Sequence, residues 1–298
     1  MRALKTLDWN KVLFFDIETS RAVDVLTKDN PLYEAWEYKM RYSIEADKKG
    51  FTEDTVESYA EKAALYAEFS VITCISVGYI KNNKLVIKSF YGQNEHQIIT
   101  DFFEVLDAFQ GSWGSKLRLC GHAIIGFDIP FVMRRAIVNG ILPHDLMDVS
   151  GLKPWEINWV VDTKELWKGS SWGSASLISL AAAFGLPNPK MDIAGHETSD
   201  AFFRGEVERI ALYCERDVLT VCNALRVMGG LSPVEKEVSA LEIERMPLLV
   251  QIYNTERATK EQIAQVAEMI KTIENKEAVK DILQVAFRGN VPEELKID

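Results

Sequence analysis

The sequence predicts an α/β fold, a mixed sheet of five strands with helices packed against it. Three observations carry that expectation. Short apolar runs with strand character recur at 11–17, 71–80, 84–92, 116–125 and from 159 onward. The first three follow one another once the polar stretch 21–70 is set aside, whereas the later ones alternate with helical stripes; a meander followed by alternation makes a mixed sheet. Lys81-Asn82-Asn83, between the second and third runs, reads as a tight hairpin turn, because asparagine tolerates positive φ. The strand order does not follow from this pattern.

The elements follow in chain order. "KVLFFDI" (11–17) is a strand buried on most of both faces, and 21–70 is a helix-prone insertion with starts at Asn30-Pro31 and Thr52. A helical stripe of Ile98, Phe102, Val105 and Phe109 marks 95–109. After the strand at 116–125, 127–140 forms a helix that Gly140 stops, and "WVVDTKEL" (159–166) is a strand passing into a helix. Ser174 or Ser176 opens a helix over 174–186, and paired glycines end a long one over 206–230. Capping boxes at Ser232-Pro233-Val234-Glu235 and Thr259-Lys260-Glu261-Gln262 make 231–298 a helical C-terminal appendage to a domain spanning 1–230.

A net charge of −10 argues against bulk electrostatic capture of nucleic acid, so a phosphate-handling site would need a local basic groove or bound cations. The four cysteines show no paired spacing and read as buried reduced thiols. Neither a signal-peptide core nor a run of membrane-spanning length is seen, so the expected location is the cytoplasm, with no membrane partner.

The chemistry-bearing residues are acids. Asp16 and Glu18 alternate with Phe15 and Ile17 on the first strand, so both carboxylates share one face. Neighbouring carboxylates on an apolar strand are costly unless paired, solvated or bound to a cation. Asp128 falls at a strand-to-helix turn, where capping the helix is an equally good reading. Tyr213 and Asp217, four apart in the long helix, share a face with Ile210 and Val221 and therefore point inward.

DIE near the N-terminus, FD after a mid-chain strand and YxxxD in a late helix resemble the three motifs of the DEDD exonuclease superfamily, in its tyrosine-bearing branch. The likeness is to the proofreading 3′–5′ exonuclease domain of family-B DNA polymerases, and more narrowly to standalone predicted exonucleases related to it. It covers roughly residues 11–228 and includes "SLISLAAAFGLPNPK" (176–190) and "IALYCERDVLTV" (210–221). The resemblance implies a ribonuclease H-like fold and metal-dependent removal of nucleotides from single-stranded 3′ ends, DNA favoured, releasing nucleoside 5′-monophosphates. It also implies two divalent cations, Mg²⁺ or Mn²⁺, held by Asp16, Glu18, Asp128 and Asp217, with Tyr213 orienting the water. Hard cations take oxygen ligands, which is why the motif residues are carboxylates. A fold-retaining binding module without catalysis, and the same chemistry on RNA, remain alternatives.

One departure stands out. The asparagine that family-B exonucleases carry five residues before the second-motif aspartate is Ala123 here, preceded by His122. His122 either compensates at the terminal nucleotide or is structural. Phe127 and Phe131 stack on a base or pack in the core, and Trp172, with Trp167, contacts a nucleobase or packs. Asp162 resembles an acidic position of relatives and reads as a supporting residue or helix cap. Basic residues in 39–42, 48–49 and 134–135 are candidates for phosphate contact. The 21–70 insertion is either a wall over the cleft or surface decoration, and the appendage is where a protein partner would dock.

Overall fold

The computed structural model describes residues 1, 4–47, 55–153, 156–171, 173–189, 197–237, 263, 283 and 291–296. It divides into two compact units, Met1–Glu235 and Lys236–Asp298. The first contains β1 (Val12–Arg21), β2 (Ser70–Lys81), β3 (Lys84–Tyr91), β4 (Arg118–Gly121) and β5 (Val160–Asp162). Its helices are α1 (Leu32–Asp47), α2 (Thr55–Lys62), α3 (Glu95–Trp113), α4 (Asp128–Val138), α5 (Thr163–Lys168), α6 (Leu177–Ala183), α7 (Thr198–Phe203) and α8 (Val207–Met228). Most of the second unit lies outside the described residues, the box at 259–262 included.

The strands form one sheet in the order β3-β2-β1-β4-β5, with β1 antiparallel to β2 and parallel to β4. β3 is antiparallel to β2 and β5 parallel to β4, so β2 alone runs against the rest. This is the ribonuclease H-like arrangement, a mixed α/β sheet with helices on both faces. The central position of β1 follows from its two-sided burial. Leu13, Phe15 and Ile17 enter a core with α3 and α4, while Val12 and Phe14 enter a second core with Val218, Val221 and Leu225 of α8. Each fully buried side chain of this kind contributes roughly 1.5–3 kcal/mol, which sets the register firmly. A one-residue slip would turn Asp16 and Glu18 into the α3–α4 core.

The β2–β3 hairpin closes as expected, with Asn82 and Asn83 at φ 50° and 61°. Ser176 is the residue that opens α6, its hydroxyl accepting from the Ser179 N–H. β4 is shorter than the apolar run suggests. At Gly121 it approaches β1 so closely that a Cβ would lie 2.9 Å from the Phe15 carbonyl and 2.0 Å from the Ile124 side chain. The chain then turns at Ala123 in a left-handed conformation, φ 68°. α7 was not foreseen; its sequence has too little periodicity to stand out.

Two further differences concern the insertion and the end of the unit. β1 continues to Arg21, and the segment after it folds around its own small core of Leu26, Trp36, Met40, Tyr59, Ala63 and Phe69. Trp36 packs edge-on against Tyr59 and Phe69, and its indole N–H donates to Ser58. The box at 232–235 opens no helix. The Asn223 side chain holds both the N–H and the carbonyl of Val234, and the Leu85 N–H donates to the Glu235 carbonyl. Those bonds fix an extended path that outcompetes the capping pattern.

Candidate active site

Alternation along β1 puts Asp16 and Glu18 on the α8 side of the sheet, beyond the apolar Val12 and Phe14. The β1–β2 ladder shifts register between Glu18 and Thr19, and the Thr73 hydroxyl donates to the Glu18 carbonyl at 3.1 Å. Such an irregularity is a common means of re-aiming side chains beside a site. α8 crosses this end and brings Tyr213, Cys214 and Asp217, which are 1%, 0% and 8% exposed. One oxygen of Asp16, one of Glu18 and the Cys214 sulfur lie within 4.8 Å of one another, a set able to hold a metal ion. The Cys214 thiol donates to Asp16, with its sulfur 3.3 Å from the backbone carbonyl oxygen and 3.5 Å from Oδ2.

Asp128 reaches the same place from the other side. It is the first residue of α4, and its Oδ1 accepts from the Ile17 N–H at 3.2 Å. Burial pushes Asp16 well above the usual carboxylate range, helped by the negative charges of Asp217, Asp128 and Glu18, while the Cys214 bond opposes. Asp128 is pushed up to about 7, mainly by burial, with Asp162 and Asp217 adding to it against the backbone bond from Ile17. Tyr213 is raised by burial and by the charges of Glu18, Asp217 and Asp16, so its phenol keeps its proton at neutral pH. The structure thus brings Asp16, Glu18, Asp128, Tyr213 and Asp217 into one neighbourhood.

The loop that carries Asp128 is clamped by Asp162. Its Oδ1 accepts from the N–H groups of Ala123 and Lys164, both at 2.9 Å, and its Oδ2 from the Ile125 N–H at 3.1 Å. It therefore caps α5, as expected, and also ties down the turn before α4. His122 has both ring nitrogens engaged. Nε2–H donates to the Ala175 carbonyl and Nδ1 meets the Thr163 hydroxyl, each at 3.0 Å. Phe127 is half-buried beside Phe131, ring centroids 5.1 Å apart, and Phe131 is in the core. Trp172 lies outside the described residues. Trp167 is exposed and packs edge-on against Phe184.

Of the basic candidates, Arg135 is corrected. It is buried, its Nε donating to Glu95 Oε1 at 2.8 Å and its Nη1 to the Ala67 carbonyl. Its pairing partner sits 40 residues earlier on another helix, which local sequence does not announce. Arg134 and Arg41 are exposed, Lys39 faces Glu68 and the Tyr66 ring, and 48–49 lie outside the described residues. Sequence reasoning also missed Cys214. The available signal was its place three residues before Asp217, on the same helix face.

Among the described residues, no helix is long and apolar enough to cross a membrane. The comparison with curated proteins gives no match. Among solved structures, the family B DNA polymerase from the hyperthermophilic archaeon Pyrobaculum calidifontis is similar at 16% identity, with a TM-score of 0.46. That alignment covers 81% of this chain and 25% of the polymerase, so the chain spans about a quarter of it. A family model described as "Predicted 3'-5' exonuclease related to the exonuclease domain of PolB" matches residues 64–265, a span that includes Asp128, Tyr213 and Asp217 and begins after β1. The chain belongs to this family of predicted 3′–5′ exonucleases related to the exonuclease domain of PolB.

Proposed function

We propose that the protein is a divalent-cation-dependent exonuclease that hydrolyses phosphodiester bonds at the 3′ ends of single-stranded nucleic acid and releases nucleoside 5′-monophosphates. DNA is the favoured substrate, a choice supported by the family's relation to a polymerase exonuclease domain. One observation carries the reading. Asp16 stands half-buried in the field of three carboxylates that come from β1, α4 and α8. Such a cluster is costly to the protein alone and becomes favourable around cations.

The donor set fits hard ions. Four carboxylates offer oxygen ligands suited to two Mg²⁺ or Mn²⁺, which Asp16, Glu18, Asp128 and Asp217 would hold. When bound, such ions supply an activated water and a sink for charge on the leaving oxygen. Tyr213, buried beside Glu18 and Asp217 with its proton retained, orients the water by hydrogen bonding and does not serve as a base. Ile17 N–H holds the Asp128 carboxylate, and Asp162 holds the loop that leads to it.

The test uses 3′-labelled and 5′-labelled oligonucleotides, deoxy and ribo, with Mg²⁺ or Mn²⁺, and Asp16→Ala alongside. The expected result is immediate release of the 3′ label as mononucleotide and a shortening ladder from the 5′ label, both absent in the variant and faster on DNA. Equal signals from the two proteins would overturn the assignment.

A further inference from the structure

Beneath α8 the sheet carries a track of small polar side chains that leads away from Asp16. The register sets Cys74 opposite Glu18, Ser76 opposite Asp16, and Ser89 opposite Ser76, so all share the face that bears the two acids. They are joined in sequence. The Ser89 hydroxyl donates to Glu215 Oε1 at 3.0 Å, Ser76 and Ser89 are 2.8 Å apart, and Cys74 Sγ is 3.6 Å from Ser76 Oγ. Cys74 in turn lies beside Cys214. Glu215, Ser76, Cys74 and Cys214 are all 0% exposed.

The direction of this chain follows from counting hydrogens. Ser89 spends its proton on Glu215, so Ser76 donates to Ser89 and the Cys74 thiol to Ser76. The Cys214 proton then has three acceptors in reach, the Cys74 sulfur, the Asp16 backbone carbonyl at 3.3 Å and the Asp16 carboxylate Oδ2 at 3.5 Å. Sulfur is a weak acceptor and oxygen a strong one, so the proton goes to Asp16.

We propose that Cys214 is a positioning residue for Asp16: the buried chain that ends at Glu215 leaves its thiol proton free for Asp16, and the contact with Oδ2 fixes the orientation in which that carboxylate takes a cation. The inference rests on the metal-dependent reading of the site. A protein group that orients a metal-binding side chain commonly governs metal affinity as strongly as a ligand does.

The experiment compares wild type, Cys214→Ala, Cys214→Ser and Cys222→Ala by calorimetric titration with Mn²⁺, by oligonucleotide cleavage against Mn²⁺ concentration, and by thermal melting. Cys222 is a buried thiol of α8 in the apolar second core, so its loss reports the cost of a cavity alone. Cys214→Ala is expected to bind Mn²⁺ roughly 10-fold more weakly and to need correspondingly more for half-maximal rate. Cys214→Ser, which keeps a donor, recovers to within about threefold of wild type, and Cys222→Ala binds Mn²⁺ as wild type does. A folded Cys214→Ala with wild-type Mn²⁺ affinity overturns the role of the thiol while leaving the nuclease reading intact. Wild type that takes up no Mn²⁺ sinks both.

Discussion

Asp128 Oδ1 accepts a 3.2 Å hydrogen bond from the backbone N–H of Ile17, the residue that separates Asp16 from Glu18. β4 pairs with β1 over Val12, Leu13 and Phe14, so among the described residues no strand partner meets Ile17 on that edge. The carboxylate fills the gap and ties α4 to the strand that bears the other two acids. Asp128→Asn keeps an oxygen acceptor but loses the charge. It is expected to melt no lower than wild type without divalent ions and to lose about 10²-fold or more in cleavage rate. Asp128→Ala also strands the Ile17 N–H and should cost a further ~1–3 kcal/mol in urea unfolding.

The same buried acid makes stability depend on pH. An unfolded Asp128 titrates near 3.8 and the folded one at about 7. Below pH 3.8 both forms hold the proton and the effect vanishes. Between 3.8 and 7 only the folded form keeps it, so stability falls as pH rises through that window and stays low above it. Asp16, raised by burial and its acidic neighbours, acts in the same direction. The metal-free protein should therefore melt lower at pH 8 than at pH 5. Mn²⁺ should raise the melting temperature more at pH 8, because protons compete for the same oxygens. Scanning calorimetry at both pH values, with and without Mn²⁺, checks this; a larger Mn²⁺ effect at pH 5 would contradict it.

Ala123 adopts φ 68°, a conformation that an alanine side chain disfavours by roughly 1–2 kcal/mol. Ala123→Gly should stabilise the protein by about 0.5–1 kcal/mol once the added freedom of the unfolded chain is subtracted. Ala123→Asn should also stabilise, since asparagine accepts this conformation. On the proposed function it lowers KM for a single-stranded 3′ end by about 3–10-fold through one regained hydrogen bond. Chemical denaturation and steady-state kinetics read the two effects separately.

Arg135 and Glu95 form a buried ion pair, with Asn139 and the Ile72 N–H also donating to Glu95. Arg135→Ala leaves a buried carboxylate without its cation and should destabilise by about 3–5 kcal/mol. Arg134→Ala, one residue away and exposed, should stay within about 0.5 kcal/mol of wild type. Similar losses from both would show that the pair contributes little.

Tyr213→Phe removes the phenol while keeping the ring in its buried place. Under the proposed function it slows single-turnover cleavage by about 10-fold or more, with Mn²⁺ affinity unchanged. A matching loss of Mn²⁺ binding would recast the tyrosine as part of the cation site.

Much of this was legible along the chain. The two faces of "VLFFDIE" follow from alternation, the Asn82-Asn83 turn from backbone sterics, and the inward set of Tyr213 and Asp217 from helical spacing, because each depends on residues within a few positions of one another. Ser232-Pro233-Val234-Glu235 misled for the same reason: the local cap signal is weaker than the bonds from Asn223 and Leu85, which lie far off in sequence.

By itself the sequence determined that acids sit on strand and helix faces turned toward the protein, in motifs that resemble an exonuclease. Only the tertiary structure decided that Asp128 is anchored to Ile17, that Asp162 holds the turn at Ala123, and that a thiol from α8 rests on Asp16. Periodicity reports which way a side chain faces; which distant group it meets is set by strand order, register and the close approach at Gly121, properties of the packed sheet as a whole.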